Sequence, residues 1–133
     1  MVTVTPVASV KVKEIMSQQS PVPAGLRIGV STHDLGQVRA AILDGADYLG
    51  IGPTFPSSTK KFAAFPGLEF VREVATETTL PTFALGGINV QNVHEVVAAG
   101  GRRIAVSAAI ARAADPASSA RALCGILPPN PGN

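Results

Sequence analysis

The stretch "LPTFALGGINVQNVHEVVAAGGRRIAVS", residues 80–107, decides the fold. "PTFALGG" is a short apolar run closed by paired glycines, the pattern of a buried strand. Asn89 then offers a side-chain oxygen to the first unpaired N–H groups of a helix. Val90, Val93, Val96 and Val97 follow at helical spacing. "RRIAVS" returns as a second strand. A strand that leads through a helix into another strand implies a right-handed crossover and parallel pairing.

The same grammar extends outward from this unit. "RIGVS" (27–31) is an apolar run, and Asp34 with Gln37 three residues later forms a capping-box-like start for "LGQVRAAILDG". Val38, Ala41 and Ile42 make its apolar face, and Gly45 closes it. "DYLGIG" (47–52) is the next strand, a helix follows from Leu68 to about Thr76, and a last helix spans Pro116 to Leu127. Read in order, the chain is βαβαβαβα, an α/β fold. "GVSTHDLG" lacks the G-x-G-x-x-G spacing, which argues against a dinucleotide-binding unit of the Rossmann type. Strands of about five residues with short connections suit a TIM (β/α)8-type barrel. Four units make half of one: a parallel sheet with outer helices, over residues 26–127.

The flanks are less regular. In residues 1–25, "VTVTPV" alternates like a strand, "SVKVKEIMSQQ" fits a short helix, and "SPVPAG" reads as a linker, so no one structure is assigned. Residues 128–133 are expected to form a disordered tail.

Bulk properties exclude several classes. With 133 residues, 46% of them hydrophobic and 15% charged, the chain is expected to be one globular domain. A net charge of +2, no Trp and one Tyr argue against a nucleic-acid surface. No apolar stretch reaches the ~20 residues of a membrane span. The N-terminus lacks a secretory pattern. The single Cys124 excludes an internal disulfide and fits a reducing compartment, so the expected location is cytoplasmic. Its Ala/Leu-rich helical context makes it a buried apolar residue rather than a nucleophile.

Every polar or glycine-rich departure from the aliphatic pattern falls at the C-terminal ends of the strands, the functional face of such a sheet. These are Ser31-Thr32-His33, Gly52 to Lys61, Gly86-Gly87-Ile88 and Ser107-Ala108-Ala109. Gly86-Gly87 either serves a tight turn or lets backbone N–H groups approach an anion. In "GPTFPSSTKKFAAFPG" (52–67), Ser57, Ser58 and Thr59 offer donors, and Lys60 and Lys61 offer charge. The alternative is a solvated loop. His33 is read either as an acid–base group or as a hydrogen-bond partner of the helix start. Asp44 and Asp47 flank the opposite end of the sheet, Asp34 is explained as a cap, and Glu69, Glu73 and Glu77 form a solvent stripe. No acid pair is placed to hold Mg2+ beside a pyrophosphate.

At these residues the chain resembles thiamine-phosphate synthase, over the C-terminal half of that family's barrel. The resemblance covers about Leu26 to Leu127. It rests on "IGVSTH", "DGADYLGIGPTFPSSTKK", "LPTFALGGI" and "AAGGRRIAVSAAI" in order. It implies a transferase of thiamine biosynthesis that joins a pyrimidine pyrophosphate to a thiazole phosphate, releasing pyrophosphate, with Mg2+ as cofactor. By position, Ser31 and Lys60 would contact the pyrimidine pyrophosphate. Ser57, Ser58, Thr59 and Gly87 would contact the thiazole phosphate. Ser107 and Ala108 stand where the family has a Val/Ile-Ser pair, so the hydroxyl is displaced by one residue.

The family's first four strands, with its pyrophosphate motif and its Mg2+-binding aspartates, have no counterpart in residues 1–25. No catalytic or metal residue is therefore assigned, and the chain is expected to be inactive alone. Two alternatives remain, a thiazole tautomerase using His33 and a non-catalytic phosphate-binding module. The expected partners are phosphorylated small molecules, with an N-terminal barrel half or a second copy covering the sheet. The face to be covered is expected to carry Ile28, Val30, Leu49, Ile51, Phe83 and Ile104.

Overall fold

A computed structural model describes residue 25 and residues 27–56 and 65–130. Four strands, β1 (Gly29–Thr32), β2 (Tyr48–Ile51), β3 (Thr82–Leu85) and β4 (Ile104–Ala105), form one sheet in the order β1-β2-β3-β4. All pairings are parallel, with Val30 opposite Leu49, Ile51 opposite Ala84, and Ala84 opposite Ile104. The helices are α1 (Leu35–Leu43), α2 (Gly67–Glu77), α3 (Val93–Ala98), α4 (Ala108–Ala111) and α5 (Pro116–Ile126). The expected α/β order is the observed one.

Local chemistry sets the helix ends. The Asp34 carboxylate accepts the Gln37 N–H at 2.8 Å, and the Gln37 side-chain oxygen accepts the His33 N–H at 2.8 Å. This is the reciprocity of a capping box, returned one residue before the cap. Gly45 ends the same helix region with φ +83°. Asn89 binds the N–H groups of Gln91 and Asn92 through one oxygen, at 2.9 and 3.2 Å. Those bonds shape a turn, so the regular helix begins at Val93 rather than Val90. The four-residue α4 is absent from the sequence reading, because "SAAIA" is too short to show a period. It is tied to α5 by the Ser119 hydroxyl, which donates to the Ala109 carbonyl at 2.9 Å.

The pleat separates two faces. Val30, Leu49, Ile51 and Ala84 pack against Val38, Val71, Val74, Val93 and Val96 in the buried core between sheet and helices. Ile28 and Ile104 join that core from its margin. On the opposite side, Gly29, Ser31, Gly50, Phe83, Leu85 and Ala105 line an open cleft of about 600 Å3, rimmed by Arg27 and Arg103. The expectation for the open face is thus corrected. Of the six residues assigned to it, Phe83 lines it and Val30 touches its floor, while the others face the helices. Tyr48 and Phe83 meet edge to face there, with centroids 5.7 Å apart. The Tyr48 ring lies across Gly29, where a Cβ would collide with it.

One other expectation changes. Cys124 is exposed, and its neighbour Leu123 is the residue of α5 that reaches the core. The acidic stripe on α2 is exposed as expected, and two of its members form surface pairs: Glu69 with Arg72, and Glu77 in a two-point contact with Arg39 of α1, at 2.6 and 3.3 Å. At the N-terminal end of the sheet, Asp47 accepts the Ile28 N–H at 2.7 Å, as a stabilising rather than a catalytic carboxylate would.

Hydrogen bonding from Arg39 holds the Glu77 carboxyl below the usual carboxylate range. The pair therefore stabilises the fold above the ordinary carboxylate pKa of about 4.3, and that contribution disappears as pH falls through the lowered value. The effect is small because the pair is exposed. Thermal melts of Glu77→Gln and the parent chain should differ at pH 7, and the difference should shrink as pH falls through the lowered carboxyl value. A pH-independent difference would show that the contact acts through packing instead.

Candidate phosphate-binding face

The C-terminal ends of the strands are joined by a short network. After β2, Gly52 donates its N–H to the Thr32 carbonyl at 3.3 Å, and its own carbonyl lies 2.6 Å from His33 Nδ1. A carbonyl oxygen can only accept, so Nδ1 carries the proton. Two residues on, Thr54 donates both its N–H (2.8 Å) and its buried hydroxyl (3.0 Å) to the Leu85 carbonyl. Phe55 donates its N–H to the Gly86 carbonyl at 3.0 Å. The base of the β2–α2 connection is thus attached to β1 on one side and to β3 on the other.

Close packing accompanies those bonds. A Cβ on Gly86 would stand 2.7 Å from Pro53 Cα, and one on Gly87 would stand 2.7 Å from the Pro56 carbonyl oxygen. Both glycines have left-handed backbones, with φ +97° and +66°. Turn and contact require glycine here whatever is bound, which meets one of the two readings of the Gly-Gly pair. The second reading keeps independent support. Asn92 Nδ2 donates to the Gly87 carbonyl at 2.9 Å, while the N–H groups of Gly87 and Ile88 have no partner among the described residues. Successive unpaired N–H groups of this kind form an anion-binding concavity.

The predicted site residues fall into four groups. Ser31 sits half-buried on the cleft side of β1, its hydroxyl 3.5 Å from where a Gly50 Cβ would be, so Gly50 leaves space beside it. Gly87 lies at the end of β3 as described. Ser107 and Ala108 are exposed at the end of β4, where Ser107 precedes α4 without capping it through its hydroxyl. Ser57, Ser58, Thr59 and Lys60, with Lys61, lie outside the described residues. Sequence reasoning missed three contributors, Thr54, Asn92 and the His33 ring. Only His33 gave a signal, and its ring bonds a neighbouring loop while its backbone N–H serves the helix start.

The described residues do not fit a divalent metal. Among them no cluster of three or more His, Cys, Asp or Glu side chains is present. Asp34, one of the carboxylates at this end of the sheet, is occupied as a helix cap.

A family model described as thiamine monophosphate synthase matches residues 11–110. The chain belongs to that family. It is 50% identical over 101 residues to the thiamine-phosphate synthase of Mycolicibacterium gilvum, covering 75% of this chain and 43% of the relative. It is 48% identical over 89 residues to that of Rhodopirellula baltica, covering 63% of this chain and 24% of the relative. In structure it superposes on thiamine phosphate pyrophosphorylase from Pyrococcus furiosus with a TM-score of 0.72 and 36% identity, over 91% of this chain and 52% of that one. The chain therefore spans less than half the length of these curated relatives, and its four βα units correspond to half of a TIM-like barrel.

The glycine requirement can be measured apart from any ligand. Gly87→Ala should cost about 1–3 kcal/mol, since it forces a left-handed backbone onto a residue with a Cβ. Gly125→Ala, at a position in α5 with no heavy atom within 4 Å of the added carbon, should instead gain about 0.5–1 kcal/mol. Urea denaturation of both variants checks the pair. Equal effects would show that packing at Gly87 is not restrictive.

Proposed function

We propose that this chain supplies the phosphate-binding half of a thiamine-phosphate synthase site. In the reaction a pyrimidine pyrophosphate and a thiazole phosphate are joined to give thiamine phosphate and pyrophosphate. The observation that carries the proposal is the pair of N–H groups at Gly87 and Ile88 that have no partner among the described residues, set beside the anchored base of the 52–67 loop. In this reading Gly87, Ser57, Ser58 and Thr59 receive the thiazole phosphate, with Ser107 and Ala108 at the next strand end. Ser31 and Lys60 face the pyrimidine pyrophosphate. The protein acts in the cytoplasm, a reducing compartment that suits its single free cysteine. Among the described residues, no helix is long and apolar enough to cross a membrane.

Lys60 distinguishes a ligand-binding loop from a solvated one. Loss of a charge-assisted hydrogen bond costs about 1.5–3 kcal/mol, so Lys60→Ala should weaken binding of a pyrophosphorylated ligand about tenfold or more. Lys61→Ala should have the smaller effect. Calorimetric titration with the pyrimidine pyrophosphate tests this, and equal losses, or none, would contradict it.

Catalysis asks for more than binding. Departure of pyrophosphate requires its growing negative charge to be neutralised, and Lys60 is the one cation this reading places there. The described carboxylates form no set that would add a divalent metal. We therefore expect the 133-residue chain alone to make no thiamine phosphate above background, even with Mg2+. We also expect it to self-associate, because among the described residues β1 and β4 each have one sheet neighbour and the cleft carries Tyr48, Phe83 and Leu85. A separately expressed N-terminal barrel half should displace the self-associated form in sedimentation and restore turnover. Mg2+-dependent synthesis by a monomer of this chain would refute both expectations.

A further inference from the structure

We infer that His33 is a positioning residue for the phosphate-binding loop: by donating from Nδ1 to the Gly52 carbonyl, it fixes where the 52–67 loop leaves β2, and through that the affinity for phosphate. The inference rests on the phosphate-site reading above.

β1 ends at Thr32 and β2 at Ile51, so the regular ladder between them stops just short of Gly52. Beyond it, the backbone contact from Gly52 to Thr32 is long, at 3.3 Å. The His33 contact is the shorter one, at 2.6 Å, and it comes from a half-buried ring. His33 is held in turn, because its backbone N–H is bonded to the Gln37 side chain within the α1 cap. A chain of contacts therefore runs from a capped helix, through the imidazole, to the first residue of the loop. Toward β3 the loop base has three hydrogen bonds, from Thr54 and Phe55. Among the described residues, His33 is the side chain that secures it toward β1. Without that contact the base could pivot about its β3 attachment, and Phe55 and Pro56 would lose their packing on Gly87.

The donor lies one atom beyond Cγ, a position that the amide nitrogen of Asn can also reach. Phe keeps the ring but has no donor. Inorganic phosphate and the thiazole phosphate are titrated into the parent chain, His33→Phe and His33→Asn. Loss of one hydrogen bond should weaken binding by His33→Phe about three- to tenfold, and His33→Asn should restore it to within about twofold. Unchanged binding by His33→Phe would overturn the inference. Equal weakening of both variants would also overturn it and would place the ring in contact with the ligand.

Amide hydrogen exchange at Thr54 and Phe55 reads the loop base without any ligand. It should quicken in His33→Phe and recover in His33→Asn. If the parent chain binds neither probe, the phosphate-site reading fails. Exchange then decides the positioning role alone, and unchanged protection in His33→Phe would end it.

Discussion

The carbonyl oxygen of Leu85 accepts both the N–H and the hydroxyl of Thr54, and Gly52 packs against it so tightly that a side chain there would collide. Much of the functional face depends on this one acceptor at the end of β3. It turns the chain leaving β2 back over the neighbouring strand, which brings Phe55 and Pro56 onto Gly87. Buried hydroxyls are costly unless satisfied. The fully buried Thr54 therefore specifies the turn rather than merely tolerating it. On the adjacent strand Thr32 has a parallel role, its buried hydroxyl donating to the Gly50 carbonyl at 3.0 Å.

Because loop and strand end are packed together, glycine at 86 and 87 has two possible causes, and composition cannot separate them. The geometry separates them by atom. Cβ exclusion belongs to packing, since the obstructing atoms are Pro53, Phe55 and Pro56. The N–H groups of Gly87 and Ile88, which have no partner among the described residues, are the atoms an anion would meet. One dipeptide meets both demands, and a substitution that tests the first does not by itself test the second.

Legibility followed the length scale of each signal. Helical periods of two or more turns fixed α1, α2 and α5 to within about a residue or two, and the strand–helix alternation fixed the parallel order. A four-residue helix has too little sequence to show a period, which hid α4. The sidedness of the sheet was misread because both faces of a parallel strand are apolar, so alternation alone does not say which face meets the helices. The better clue lay in the glycines. Gly29 and Gly50 make room for Tyr48 and Ser31 on the cleft side, leaving Val30, Leu49 and Ile51 for the core. Cys124 failed for a related reason: an Ala/Leu-rich helix has a weak phase, and Leu123 took the inward position.

The site was legible as a location and less so as a mechanism. Placing Ser31, Gly87 and Ser107 at strand ends needed only the parallel order, since each lies within two residues of the end of its own strand. The His33 ring could not be placed that way. Its partner is 19 residues away, a pairing that exists only after β1 and β2 align in register. The same holds for Thr54 and Leu85, which are 31 residues apart. Contacts between neighbouring strand ends form only once the sheet has formed, and local sequence carries no pattern for them. What the alternation does provide is the order of the strands. That order limits the partners of any loop residue to the two adjacent strand ends, and both His33 and Leu85 lie on them.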